Sequence, residues 1–454
     1  MKVPYHQICR AGNVNYLVKS DNVYTKFRIM PDLNHRPDYG NAARITAAVI
    51  FIYYTIVLIF SCNYPIGDDF SLVDFVTNIT TSSDLNQRLT LLYAQHNEHR
   101  IITTKLIFLL DYFLFDKLNF VHLILVGNLF HLGTFYIFRK HEPSKFDQQS
   151  QSYLAIFTAC MIFQFGSAES MFWSMAAISN YLVLMLALLT LSLLSKDSLW
   201  YFVLAIVSSV LTAFTQGNGI LIPLIAVIYL ISQKRYRDSL LMAAIALMAI
   251  FVYFLDYQVS PAHFNTSNAI QEIGKIFVFA ISFTGSALGV GGSHYPVLTN
   301  FSLIPTLITG SLIWGVTFYG FYKKVYLDGN IFIWFNLFII LTAILTGISR
   351  INFGLSQSMV SRYHISSNLT IISTAVLAMQ LLPIRQYSKR MLDRIFKLSA
   401  IFSVTYLVAS LAFVAYFYFV VYSPIRSNEI IFFDKDQAKM IMDSAKSNGV
   451  FDVQ

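Results

Sequence analysis

Charge is what this sequence has least of. Asp, Glu, Lys and Arg make up 12% of its 454 residues, about half the share of an ordinary soluble domain, which excludes a fold wetted on every side. Cysteine is as scarce: Cys9, Cys62 and Cys160 lie far apart and without ligand-like spacing, which excludes a disulfide scaffold and a cysteine metal centre. Ten-residue strands of alternating hydrophobicity do not recur, which excludes a transmembrane barrel. Residues 1–44 lack the apolar core of a signal peptide, and the chain carries no fixed-period repeat.

What the sequence has is apolar length. Hydrophobic residues make up 56% of it, with 40 Phe and 27 Tyr, the aromatics expected where side chains meet both water–lipid boundaries. Several runs reach the ~20 residues needed to cross a ~30 Å hydrocarbon core. Backbone groups inside lipid must be satisfied within their own segment, so these runs are helices. The sequence therefore predicts an all-α polytopic transmembrane protein of about eleven spans, near 45–62, 118–138, 151–165, 173–195, 199–215, 218–233, 239–258, 301–322, 330–348, 366–383 and 398–422. Residues 101–117 are apolar but broken by Lys105, Asp111, Asp116 and Lys117, which suits a helix lying along the interface. The run 271–292 either crosses or folds back on itself.

The net charge of +8 does not point to nucleic acid, because the basic residues sit in short loops. Of the 32 Lys and Arg, 21 fall in 1–44, 139–145, 196, 234–237, 323–324 and 385–397. That side is the inner one. Lys323 and Lys324 join it only if 271–292 folds back. The organisation is then a cytoplasmic segment 1–44, a membrane domain 45–422 with a long first outer loop 63–117, and an outer tail 423–454.

Polar chemistry gathers on the outer side. Asp68 and Asp69 follow the first span. Adjacent carboxylates near a low-dielectric boundary repel, which raises the pKa of at least one and suits a general base; a solvated acidic turn capping a helix is the plain alternative. His96, Asn97, Glu98, His99 and Arg100 follow in one cluster. On a helix, His96 and His99 would share a face, with Arg100 beside His96, a surface for phosphate or a sugar. Arg350 and Arg362, the latter next to Tyr363, lie on the outer side against the orientation rule, with no acidic neighbour within four residues. A guanidinium there needs a partner, and phosphate oxygens fit its fork. Glu169 sits in a turn between apolar helices, and His294 is a loop histidine that could line a site. His122 and His131 read as packing residues and Asp256 as a helix end. The cluster lacks a second set of metal ligands.

Asp68-Asp69, Gln95-His-Asn-Glu-His-Arg100 and Arg350…Gly354…Ser361-Arg362-Tyr363 together resemble the GT-C class of polytopic bacterial glycosyltransferases, most closely the membrane glucosyltransferases that decorate O-antigen. The resemblance covers the layout of most of the chain and about twenty residues of motif. It implies a multi-pass protein of the bacterial inner membrane with its site facing the periplasm and a polyprenyl-phosphate sugar donor. It also implies a glycan acceptor, lipid-linked or lipopolysaccharide, and a catalytic carboxylate in the first outer loop, Asp68 or Asp69. His96, Asn97, Glu98, His99, Arg100, Glu169, Arg350, Arg362 and Tyr363 are the substrate-binding candidates. No cofactor is expected, and metal dependence varies within the family. Two alternatives stay open: an O-antigen polymerase or ligase, for which the outer loop 349–365 is short, and a lipid-linked sugar transporter, whose polar residues would lie nearer mid-membrane.

Overall fold

A computed structural model describes residues 8–10, 13–20, 23–27, 39–143, 146–258, 272–291, 296–381, 388–427 and 429–452. His294 and the outer loop expected at 259–270 lie outside the described residues, as does half of 1–44. The membrane part is helical throughout. The segment before it adds a small antiparallel meander, β1 Ile8–Arg10, β2 Asn13–Ser20 and β3 Val23–Phe27, with Tyr16 opposite Phe27. The sequence reading left this segment unassigned. Its signal is the alternation Val14, Tyr16, Val18 and Val23, Thr25, Phe27, β-branched and aromatic residues at period two.

The helices in chain order are α1 Tyr39–Phe60, α2 Asp69–Thr81, α3 Leu85–Tyr93, α4 Ile102–Phe115, α5 Phe120–His141, α6 Gln148–Ile162, α7 Ala168–Phe172 and α8 Ser174–Leu194. There follow α9 Leu199–Ala213, α10 Leu221–Ser232, α11 Tyr236–Phe254, α12 Ile273–Thr284, α13 Pro296–Tyr322, α14 Ile331–Arg350, α15 His364–Leu381 and α16 Lys389–Phe417. The chain continues from α16 through a π turn to Arg426 and ends in α17 Lys435–Ser447. Among the described residues, seven helices are long and apolar enough to cross a membrane, and shorter apolar ones accompany them.

Each helix turns one stripe inward. In α1, Val49, Tyr53 and Val57 are buried at four-residue spacing while Phe51, Leu58 and Ile59 are exposed, the division expected of a helix between protein and lipid. Helix α8 runs through the middle and is buried on nearly all sides. Polar side chains pair across helices where water is absent: the Tyr53 hydroxyl donates to Asn128 Oδ1 at 2.5 Å, and the Asn336 amide donates to Thr317 and Thr374 at 3.0 Å each. His131 packs against the Tyr181 ring, 4.0 Å between centroids, the packing role its sequence context suggests.

Contacts between helix ends sort the loops onto two faces. One face joins Thr103 to the Phe214 carbonyl, Tyr257 to the Glu98 carbonyl, Arg350 to Glu98, and Leu118 to the Val450 carbonyl. The other joins His141 to Ser192, Arg235 to the Leu194 carbonyl and Gln233 to the Tyr326 carbonyl. Following the chain between the faces gives eleven crossings among the described residues: α1, α5, α6, α8, α9, α10, α11, α13, α14, α15 and α16. Helix α12 is not one of them. Its start lines a cavity with Ile351, Asn352 and Leu355. Its far end meets α13 and α15 inside the protein, where Trp314 Nε1 donates to Thr284 and Ser367 donates to the Thr284 carbonyl. The chain then returns to Met359, against which Gly289 and Gly291 pack. The described part of that run, 272–291, folds back.

The first-face loop holds three helices. Helix α4 lies along the surface as its broken apolar pattern predicts, exposing Leu110, Phe113 and Leu114 while burying Phe108, Lys105 and Asp111. Lys105 is drawn in because its ammonium caps the end of α3, donating to the carbonyls of Leu91 and Ala94 at 2.8 and 2.7 Å. The tail returns to this same face. Helix α17 packs on α2 with Ala438, Ile441 and Ala445 buried, and Phe433 stacks on Phe70.

Candidate active site

The turn Asn63–Asp68 is shaped by Gly67, whose φ of +53° belongs to the left-handed region. A Cβ there would also meet the Trp173 ring at 2.8 Å. The Gly67 N–H donates to the Ile431 carbonyl of the tail at 3.2 Å, so the tail fixes the turn. Asp68 stands just before α2 and caps nothing. Its side chain is 38% exposed and faces His96, with Oδ2 3.8 Å from Nε2. Burial alone would raise its pKa, but hydrogen bonding and charge from His96, the charge of Arg362 and hydrogen bonding from Asn97 together lower it. Asp68 is an ionised carboxylate within reach of solvent.

Asp69 differs in every respect. It is 1% exposed. Oδ1 accepts from the Ser174 hydroxyl at 2.7 Å and the Met175 N–H at 2.9 Å, and Oδ2 accepts from the Ile66 N–H at 3.2 Å. Burial pushes its pKa up to about 7 against those three donors. Both oxygens are engaged, and they tie the start of α2 to the N-terminus of α8, where a carboxylate is favoured.

The cluster 95–100 is not helical. His96 and His99 exchange backbone hydrogen bonds at 2.8 Å in both directions, and Asn97 between them has φ +48°, so the segment is a tight hairpin turn. The expected shared face of His96 and His99 does not form. Asn occupies the left-handed position at low cost because its short amide bonds locally. The His96 ring turns to Asp68, and His99 packs over Gly217, where any side chain would collide with it. Burial lowers the His99 pKa to about 4, with Arg350 and His96 adding to the effect and Glu98 opposing it; the ring is neutral at pH 7. Arg100, 2% exposed, donates to the carbonyls of Tyr253 at 2.6 Å, Tyr93 at 2.7 Å and Leu255. It holds this loop to the end of α11.

Arg350, at the end of α14, finds a partner the local sequence does not offer: Nη2 lies 2.6 Å from Glu98 Oε1. Arg362 sits in a short 3-10 turn docked on the α6–α7 connection, where Ser361 donates to the Gly166 carbonyl at 2.7 Å and accepts from the Glu169 N–H at 3.2 Å. Burial opposes its charge, and Tyr363, Glu169 and Asp68 overcome that, so its pKa lies above the usual guanidinium value. Its Nε is buried and has no hydrogen-bond partner among the described residues. Tyr363 packs on Phe283.

The structure thus brings Asp68, His96, Asn97, Glu169, Arg362 and Tyr363 to one place, with Glu98, His99 and Arg350 adjoining. It turns Asp69 and Arg100 into framework. Sequence reasoning passed over Ser170, Asn180 and Gln216, which form a partly buried chain beside the site: Gln216 donates to Asn180 at 2.8 Å and Asn180 to Ser170 at 3.0 Å. Their signal is an amide inside the otherwise apolar start of α8. A cavity of about 460 Å³ adjoins Arg350, walled by Val278, Ile351 and Leu355 with Lys275, itself 2.7 Å from Glu272. Among the described residues no three His, Cys, Asp or Glu converge to hold a metal ion. The arrangement offers a carboxylate with a lowered pKa close to a buried guanidinium whose Nε is unpaired among the described residues.

Two solved structures are similar to this chain. One is ArnT from Cupriavidus metallidurans bound to undecaprenyl phosphate, 13% identical with a TM-score of 0.44 over 91% of this chain and 76% of that one. The other is the same protein in its apo state, also 13% identical, with a TM-score of 0.43 over 90% and 76%. No protein-family model matches the chain. No curated protein matches it.

Proposed function

We propose that the chain is a GT-C-type glycosyltransferase of the bacterial inner membrane, with its site facing the periplasm. It moves a sugar, glucose by the resemblance of its motifs, from a polyprenyl-phosphate donor to a hydroxyl of a cell-surface glycan such as O-antigen. The observation that carries the reading is the pairing of Asp68, half-buried with its pKa held down in part by the charge of Arg362, with Arg362 itself, whose buried Nε lacks a hydrogen-bond partner among the described residues.

In the reaction the acceptor O–H gives its proton to Asp68. The acceptor oxygen attacks the anomeric carbon, and the bond from that carbon to the phosphate oxygen breaks with its electron pair left on the phosphate. Arg362 meets the charge growing there, and a preorganised cation of this kind lowers the barrier. Arg350, beside the apolar-walled cavity, is the second cation, and the donor's lipid chain lies against Val278, Ile351 and Leu355. His96 orients the base. Asp69 positions it through the α2–α8 joint.

The test is turnover of purified protein on polyprenyl-phosphate glucose with lipopolysaccharide as acceptor. Asp68→Asn is expected to lower it by ~10²–10⁴-fold. Full turnover in that variant overturns the assignment.

A further inference from the structure

A second cavity, about 420 Å³, opens at the 95–100 turn and shares no wall residue with the first; its walls include Thr90, Tyr93, Gln95, Asn97, Asp256 and Gln258. It is built where the end of α3, the turn and the segment after α11 meet. Gln95 bolts the last two together, accepting from the Gln258 N–H at 3.0 Å and donating to the Gln258 carbonyl at 2.8 Å. Asp256 is held at φ +53°, directly after the Leu255 carbonyl that Arg100 grips.

The chemistry of the walls selects among ligands. Arg100, 2% exposed, has its donors turned to three carbonyls and is stacked over Tyr93, 3.9 Å from the ring centre. The acidic group, Asp256, is exposed, so a ligand entering the cavity meets a carboxylate and no free guanidinium fork, which disfavours an anion. Amides, a hydroxyl, a carboxylate and an aromatic ring are the groups that hold sugar hydroxyls and the apolar face of a sugar ring. Asn97 connects this cavity to the catalytic turn, since its amide also reaches His96 Nε2 at 3.4 Å, and His96 faces Asp68.

We propose that this cavity seats the acceptor: an uncharged sugar ring, held by Asp256 and Gln258, whose hydroxyl passes over Asn97 to Asp68. The proposal rests on the transferase reading and deepens it, giving the acceptor a cavity separate from the one assigned to the donor.

The test uses the full chain in lipid nanodiscs, with maltose and cellobiose as neutral probes read by saturation-transfer NMR, and undecaprenyl phosphate as a second ligand read by its own titration. Two variants are compared with the parent: Asp256→Asn, which keeps a residue tolerant of the left-handed turn, and Thr90→Trp, which fills the cavity from the exposed face of α3. Removing a hydrogen bond to a charged group is expected to weaken disaccharide binding by about tenfold or more, and Thr90→Trp to abolish it, with undecaprenyl phosphate affinity unchanged within twofold in both. Absence of disaccharide binding to the parent overturns the proposal. So does parental disaccharide affinity in both variants, or loss of both ligands together. Disaccharide binding that follows the variants while undecaprenyl phosphate does not bind at all upholds the cavity and overturns the donor reading instead.

Discussion

Asp68 and Asp69 are neighbours in one turn and meet opposite surroundings. The pair itself is legible in the sequence. Its division of labour is not, because the groups that occupy Asp69 come from Ser174 and Met175, more than a hundred residues on. Asp69→Ala removes the acceptor for three buried donors, so it is expected to destabilise the fold by about 1–3 kcal/mol, read as a lowered melting temperature in detergent, whereas Asp68→Asn leaves melting unchanged. Equal melting for both variants would contradict this division. Arg362 offers a second residue-scale test. Arg362→Lys keeps the charge but loses the fork, and turnover is expected to fall at least tenfold; near-parental turnover would remove the phosphate contact and favour a transporter. His99 makes a prediction about pH. Its pKa in the folded chain, about 4, lies below the ordinary value near 6.5, so between those values the unfolded chain binds the extra proton and stability rises with pH. The His99 contribution is therefore lost as pH falls from about 6.5 towards 4, while Asp69, whose folded pKa of about 7 lies above its ordinary value, acts with the opposite sign over the same range. The melting-temperature difference between His99→Gln and the parent is expected to move in the variant's favour as pH falls through that range, and a difference that does not change with pH would show that His99 is not responsible.

At the scale of elements, apolar length located the spans and charge asymmetry located α12, since only a fold-back leaves Lys323 and Lys324 with the other basic loops. What the sequence hid was conformation that depends on partners. Residues 95–100 have the spacing of a helical face, yet the left-handed Asn97 and the anchoring of Arg100 to α11 make a turn of them. The fold-back itself depends on close approach. A Cβ on Gly310 would run into the Ile281 carbonyl, and one on Gly285 into that of Thr306, so α12 and α13 cross with their backbones in contact, as small residues allow between membrane helices. Gly310→Leu is expected to part them and lower both yield and melting temperature, while Gly315→Leu, which meets nothing within 4 Å, is not. Equal behaviour of the two would deny the crossing its role.

For the whole molecule, the charge split and the two sets of loop contacts agree on which segments share a face, and reporter fusions decide which face is the cytoplasmic one. Fusions after Lys145 and after Lys397 are expected to report the cytoplasm, and a periplasmic signal from either would invert the orientation. The charge split puts the tail on the same side as the first loop but does not show it against the Asp68 turn, because its amphipathic helix finds its partner, α2, only after the described spans are in place. That partnership has a consequence in time. Asp68 leaves the ribosome early, but the Ile431 carbonyl that fixes its turn follows on the order of tens of seconds later at ordinary synthesis rates. A half-made chain in the membrane therefore holds Asp68 without its setting, and under the proposed function it leaves passing donor lipid undischarged. A segment made long after the first loop is the one that sets it.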